Sequence, residues 1–206
     1  MEVIKLTIEE KKKELIELEW DFFQNVQNEG GRADCQNNPE TFYVMRKSQF
    51  DSWNEPLIDS YLTDLRNKKA TGDNPIAEKY ARMMEDTAPE QFQLLQFALP
   101  PLSPDTQHII AEIVQIQLNW MDEYVRLYPR LASGNRIVRK EQATYGATSF
   151  ETYLRCELST YSQRTLKLYW SYIKKLISEN TNLVLTTMTH TVQYYGYKSL
   201  KEAEFF

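Results

Sequence analysis

A chain of 206 residues that is 42% hydrophobic and 26% charged has enough apolar material for one folded core, so disorder is excluded as its class. A net charge of −5 without a basic patch argues against nucleic acid or an anionic membrane surface as the main partner. Two cysteines 121 positions apart (35 and 156) make neither a disulfide framework nor a zinc site. The start, MEVIKLTIEEKKK, lacks the basic-then-apolar layout of a signal peptide, and no run reaches eighteen apolar residues. These features predict a soluble, cytoplasmic protein in a reducing compartment.

Thr7 and Glu10 form a capping box ahead of a first helix expected over about residues 8–28, running into Gly30-Gly31. Leu15, Ile16, Phe22 and Phe23 share one face of it, and Glu19 falls at the centre of that face. Asn38-Pro39 opens a second helix to about Trp53. Its apolar arc, Phe42, Met45, Phe50 and Trp53, also contains Arg46 and Gln49. Pro56 restarts the chain for a third helix that stops at Gly72, with Asp64 at the edge of the stripe made by Leu57, Tyr61 and Leu65.

Asn74-Pro75 starts a fourth helix. On it Glu78, Arg82 and Glu85 follow at i, i+4 and i+7 opposite Ile76, Tyr80, Met83 and Met84, the pattern of a solvated salt-bridge ladder. A short helix around EQFQLLQF and the breaker ALPPL lead to a long helix from Ser103-Pro104 to about Leu127, where Gln117 is bracketed by Ile113, Val114, Trp120 and Met121. Residues 130–147 are expected to be a flexible loop. Thr148 and Glu151 read as a second capping box, opening the longest helix over about 150–178, with Tyr153, Glu157 and Tyr161 in or near its apolar face. TNLVLTTMTHTVQYYGY is a helix ending at Gly196 or, as the weaker alternative, a strand. Ser199 and Glu202 cap a last turn before Phe205-Phe206. The expected fold is all-α, a single-domain bundle of six to eight helices spanning residues 1–206.

A carboxylate in an apolar stripe must protonate or find a partner. The economical arrangement has Arg46 neutralise Glu19 or Glu157 inside the bundle, with Gln49, Gln117, Tyr153 and Tyr161 completing the hydrogen bonds. Because one arginine leaves two carboxylates under-neutralised, the leading expectation is a polar pocket for a small molecule. There Glu19 or Glu157 is the general acid or base, its pKa raised by desolvation, and Arg46 holds an anionic group. The alternative is a non-catalytic interaction or regulatory module whose network only fixes helix register and whose function lies on a surface such as the 130–147 loop. A carboxylate-metal enzyme is third: neither His108 nor His190 follows a glutamate by three residues, so no di-iron pattern is present and no metal ligand is assigned. His108 is expected to be exposed, Cys35 to lie in a turn with no base to activate it, and Cys156 to sit inert on the less apolar side of its helix. No nucleotide-binding loop, dinucleotide fingerprint or zinc motif occurs, so the cofactor and the oligomeric state are left open.

The blocks ELEWDFFQNVQNEGGRADCQ, MRKSQFDSW, SYLTDL, EKYARMMEDTAP and TSFETYLRCELSTYS resemble a bacterial family known as domain of unknown function 4125. The likeness runs from about residue 14 to residue 204. It implies a prokaryotic source and one domain of this length, and it brings no activity with it. A nucleotidyltransferase-like partner is implied for the interaction reading. The resemblance also marks positions, since Glu19, Arg46, Gln49, Asp64, Glu78, Arg82, Glu85 and Glu157 all fall inside these blocks. It adds Glu78, Arg82 and Glu85 to the candidate ligand-binding residues, and it implies a glycine where Cys156 stands.

Overall fold

The computed structural model describes residues 6–27, 31–144 and 146–205. Among them are eleven α-helices and no strand, which gives the expected all-α class but more helices than six to eight. They are α1 (Ile8–Gln24), α2 (Pro39–Asp51), α3 (Glu55–Thr71), α4 (Pro75–Thr87), α5 (Pro89–Leu95), α6 (Pro104–Leu127), α7 (Pro129–Ser133), α8 (Phe150–Leu158), α9 (Gln163–Ser178), α10 (Leu183–Tyr194) and α11 (Leu200–Phe205). The segment that could have been a strand is α10.

The start signals act as read at Thr7, Asn38 and Ser103, whose side-chain oxygens accept backbone N–H groups of the first turn. Three boundaries differ. α1 ends at Gln24, ahead of the expected 28, which with Gly30 lies outside the described residues. Asn25 caps α1, its side-chain amide donating to the Asp21 carbonyl at 2.8 Å, and the Gln36 amide donates to the Phe23 and Val26 carbonyls at 2.8 and 3.2 Å. The cap of α8 is Ser149 rather than Thr148, and the Glu151 carboxylate accepts the Lys140 N–H instead of closing a box. The 130–147 segment contains α7, whose first N–H groups (Arg130 and Leu131) are taken by the buried Glu204 carboxylate at 2.8 and 2.9 Å. Phe206, beyond α11, lies outside the described residues.

The largest correction is the expected 150–178 helix, which is two helices broken at 159–162; the longest described helix is α6, with 24 residues. Ser159 and Thr160 turn their hydroxyls back onto the Arg155 and Glu157 carbonyls, competing with helix continuation. Ser162 then caps α9. Its own N–H donates to Asp64 Oδ2 at 3.0 Å, so the corner is tied to α3.

α1 packs on α2, α3 and α4; α3 on α9; α6 on α8, α9 and α10; and α10 on α2. The main core runs through these contacts, with Leu15, Phe50, Leu57, Ile58, Ile113, Leu166 and Ile173 wholly buried. A second cluster joins Met121 and Tyr124 of α6 to Val184 and Val192 of α10 and to α11. No described helix is long and apolar enough to cross a membrane.

Candidate functional site

The structure brings Glu19 (α1), Arg46 and Gln49 (α2) and Tyr153 and Glu157 (α8) together in the bundle, with Tyr161 at the α8–α9 corner. Glu19 is wholly buried. Arg46 meets it with a two-pronged fork, Nε to Oε2 and Nη2 to Oε1 at 2.5 Å, and the Tyr61 hydroxyl donates to Oε1 at 2.7 Å. The remaining Arg46 nitrogen, Nη1, donates to Gln49 Oε1 at 2.6 Å and reaches Glu157 Oε1 at 3.4 Å. Gln49 Nε2 and the Tyr161 hydroxyl donate to that same Glu157 oxygen at 3.0 and 3.2 Å.

Sequence reasoning missed the residue that completes the cluster. Lys79 of α4 is buried, with Nζ 3.3 Å from Glu157 Oε2 and 2.8 Å from the Tyr153 hydroxyl, over whose ring it lies at 4.2 Å. The signal was present: Lys79 stands three residues after Ile76 and four before Met83, inside the buried arc of α4. The regular Glu78–Arg82–Glu85 spacing on the same helix is the more conspicuous pattern and hides it. Tyr61 counts by periodicity as an apolar residue of α3, although its hydroxyl serves Glu19.

Lys79 changes the electrostatics. The premise that one arginine faces two carboxylates fails, because Arg46 and Lys79 balance Glu19 and Glu157. A fold stable by roughly 5–15 kcal/mol could not carry two unpaired buried carboxylates costing several kcal/mol each. Burial alone would raise the Glu157 carboxyl, but the Arg46 and Lys79 charges outweigh it and hold it at about 2. This corrects the expectation of a raised pKa there. Burial likewise opposes the charge of Lys79, and Tyr153 and Glu157 keep its pKa above the ordinary lysine value. Burial raises the Tyr61 and Tyr161 hydroxyls, and the neighbouring Glu19 and Glu157 carboxylates push them further. Under these surroundings Glu157 is a fixed anion at neutral pH, a poor proton donor.

Around the charges stands an aromatic wall. The Tyr61 and Tyr161 rings lie 4.9 Å apart, Trp53 is 5.5 Å from Tyr61, and Tyr169 is 5.6 Å from Trp53. Gln117 serves the Tyr169 hydroxyl at 2.9 Å and does not reach the carboxylates. Among the described residues, every buried side-chain nitrogen and oxygen has a hydrogen-bond partner.

The other candidates lie elsewhere. Asp64 caps the α9 corner. Replacing it with alanine is expected to cost about 1–2 kcal/mol by orphaning the Ser162 N–H, read as a lowered midpoint in thermal denaturation; a pure ligand contact would show no such cost. Arg82 clasps Glu78 at 2.8 Å and the Pro100 carbonyl at 2.7 Å, its side chain and that of Glu78 only 12% and 11% exposed, so this pair is not the solvated ladder expected. Glu85 pairs with Arg155 at 2.7 Å. His108 is exposed. Cys35 is exposed, whereas Cys156 is wholly buried rather than on a less apolar side, with burial pushing its thiol up to about 11. Among the described residues no group of three or more His, Cys, Asp or Glu side chains is placed to hold a metal ion.

Two surface concavities, of about 690 and 620 Å³, lie along α3 and α9 and between α1, α2 and α10, and none of the four core charges lines either. The family described as "Protein of unknown function (DUF4125)" matches residues 9–205, nearly the whole chain. No curated protein and no solved structure matches it.

Proposed function

Since the chain belongs to this family of unknown function, we propose that it is a non-catalytic interaction or regulatory module, one all-helical domain of the bacterial cytoplasm. Its buried charges hold α1, α2, α3, α4 and α8 in register, and its working surface lies outside the core. The observation that carries this reading is the pairing of Glu157 with both Arg46 and Lys79, which leaves no core carboxylate to meet a ligand or pass a proton. A polar pocket at this place would require one of those cations to release Glu157.

A surface of the right kind is available. Leu94 and Phe97, on α5 and the turn after it, are 86% and 90% exposed, and α5 buries none of its own residues. Leu94 and Phe97 stand three positions apart, and neighbouring large apolar side chains left in solvent are the material of an interaction surface.

The test asks which part of the molecule a partner needs. The full chain, tagged and cross-linked in its own cells, is expected to recover a discrete partner. The Lys79→Met/Glu157→Gln double variant is expected to recover it equally, and Leu94→Ser/Phe97→Ser to lose it while keeping the fold. The opposite pattern, with the core variant losing the partner and the Leu94/Phe97 variant keeping it, contradicts the reading.

A further inference from the structure

The 620 Å³ groove between α1, α2 and α10 is unlike the rest of this acidic surface. Its walls are aromatic: Trp20 from α1, Phe42 and Tyr43 from α2, and Tyr194 and Tyr195 at the end of α10. Three of these rings are substantially in solvent, Tyr43 at 44%, Tyr194 at 43% and Tyr195 at 54%. The Trp20 and Phe42 rings meet at 5.0 Å with a 59° tilt, forming an angled corner rather than a flat patch.

The charged groups decide what such a groove would hold. Glu17 and Glu40 line it, and no lysine, arginine or histidine does. Aromatic faces carry negative potential, and with two carboxylates the site repels anions and favours a cation with apolar substituents. A neutral apolar ligand would gain nothing from the carboxylates. The fold already places a cation on one of these rings: Lys47 Nζ lies 5.8 Å from the Tyr194 centroid. That lysine is held by Asp51 and Glu9 and does not line the groove. Of the groove's own carboxylates, Glu17 also meets Lys13 Nζ at 3.8 Å, a solvent-exposed i,i+4 pair of the weak, water-screened kind, so it leaves most of the Glu17 charge to a ligand. The volume is that of a small-molecule site.

We propose that this groove binds a small organic cation of the alkyl- or arylammonium class, its charge seated against the rings and its counter-charges supplied by Glu17 and Glu40. The groove shares no residue with the Leu94/Phe97 surface or with the core charges, so the two readings fail separately.

Three soluble probes of matched ring size discriminate the possibilities: benzyltrimethylammonium, benzyl alcohol and benzenesulfonate, each titrated into the full chain and followed by amide chemical shifts. The cation is expected to bind saturably, about tenfold more tightly than the alcohol, with shifts confined to residues near 16–20, 39–44 and 194–196 and with no binding of the sulfonate. Glu17→Gln/Glu40→Gln is expected to weaken the cation about tenfold and leave the alcohol unchanged. Tyr195→Ser is expected to weaken both. All three positions are at the surface, so thermal denaturation is expected to match the parent chain. Equal affinity for cation and alcohol, indifference of the cation to the double glutamine variant, shifts elsewhere, or no saturable binding of the cation overturns the proposal.

Discussion

Replacing Arg46 with methionine is expected to remove about 3–5 kcal/mol of folding stability, enough to leave the chain partly unfolded at ordinary temperatures. Glu19 explains the size. Its carboxylate is wholly buried and takes both prongs of the Arg46 fork, so the variant strands a charge that only the Tyr61 hydroxyl still serves. The same change frees Gln49 Oε1 and withdraws one of the two cations beside Glu157. Methionine fills most of the volume, so packing loss is the smaller part of the effect. Arg46→Lys is expected to recover only part of it, because an ammonium keeps the charge but cannot span two Glu19 oxygens and still reach Gln49. Urea denaturation of the three proteins at neutral pH reads these differences directly. If Arg46→Met costs less than about 1 kcal/mol, Glu19 is not held as described.

Acid is expected to weaken the fold through Glu157, by on the order of 3 kcal/mol across a defined range. Its folded-state pKa, about 2, lies below the ordinary value of 4.5. A depressed carboxyl stabilises the fold fully above its unfolded value, because there the unfolded chain gains nothing by taking up a proton. That contribution is present at neutral pH, begins to fall near pH 4.5 and is spent by about pH 2. Unfolding free energies measured through this range should slope downward for the parent chain. Glu157→Gln should be less stable at neutral pH and lose less on acidification. Parallel slopes for the two proteins would remove Glu157 from the account.

Much of this was legible in the sequence because helix periodicity carries burial. Glu19, Arg46 and Glu157 were each found as polar side chains inside apolar arcs, and caps at Asn38, Ser103 and Ser199 are local hydrogen-bond chemistry that three or four residues specify. What stayed hidden depends on partners distant in the chain. The Ser159, Thr160 and Ser162 hydroxyls that break α8 from α9 are local, but Asp64, 98 positions away, is what ties the corner to α3 through the Ser162 N–H. α7 needs Glu204 from the far end of the chain. Lys79 was visible by position but passed over, because a lysine between Glu78 and Tyr80 reads as surface unless its carboxylate partner on α8 is known. That one residue changes the reading of the core, from a carboxylate awaiting a ligand to a set of charges already balanced.

The balance itself is the central claim, and a double-mutant cycle on Lys79 and Glu157 measures it. Lys79→Met, Glu157→Gln and the pair together are compared with the parent chain by urea denaturation at neutral pH. Each single change is expected to leave one buried charge unmatched. The double variant leaves Arg46 and Glu19 as a neutral pair, and its cost should fall short of the sum of the singles by about 1–3 kcal/mol. Additive costs, or a Lys79→Met protein as stable as the parent, would show that Lys79 does not balance Glu157 and would return the core to the reading of an unpaired carboxylate.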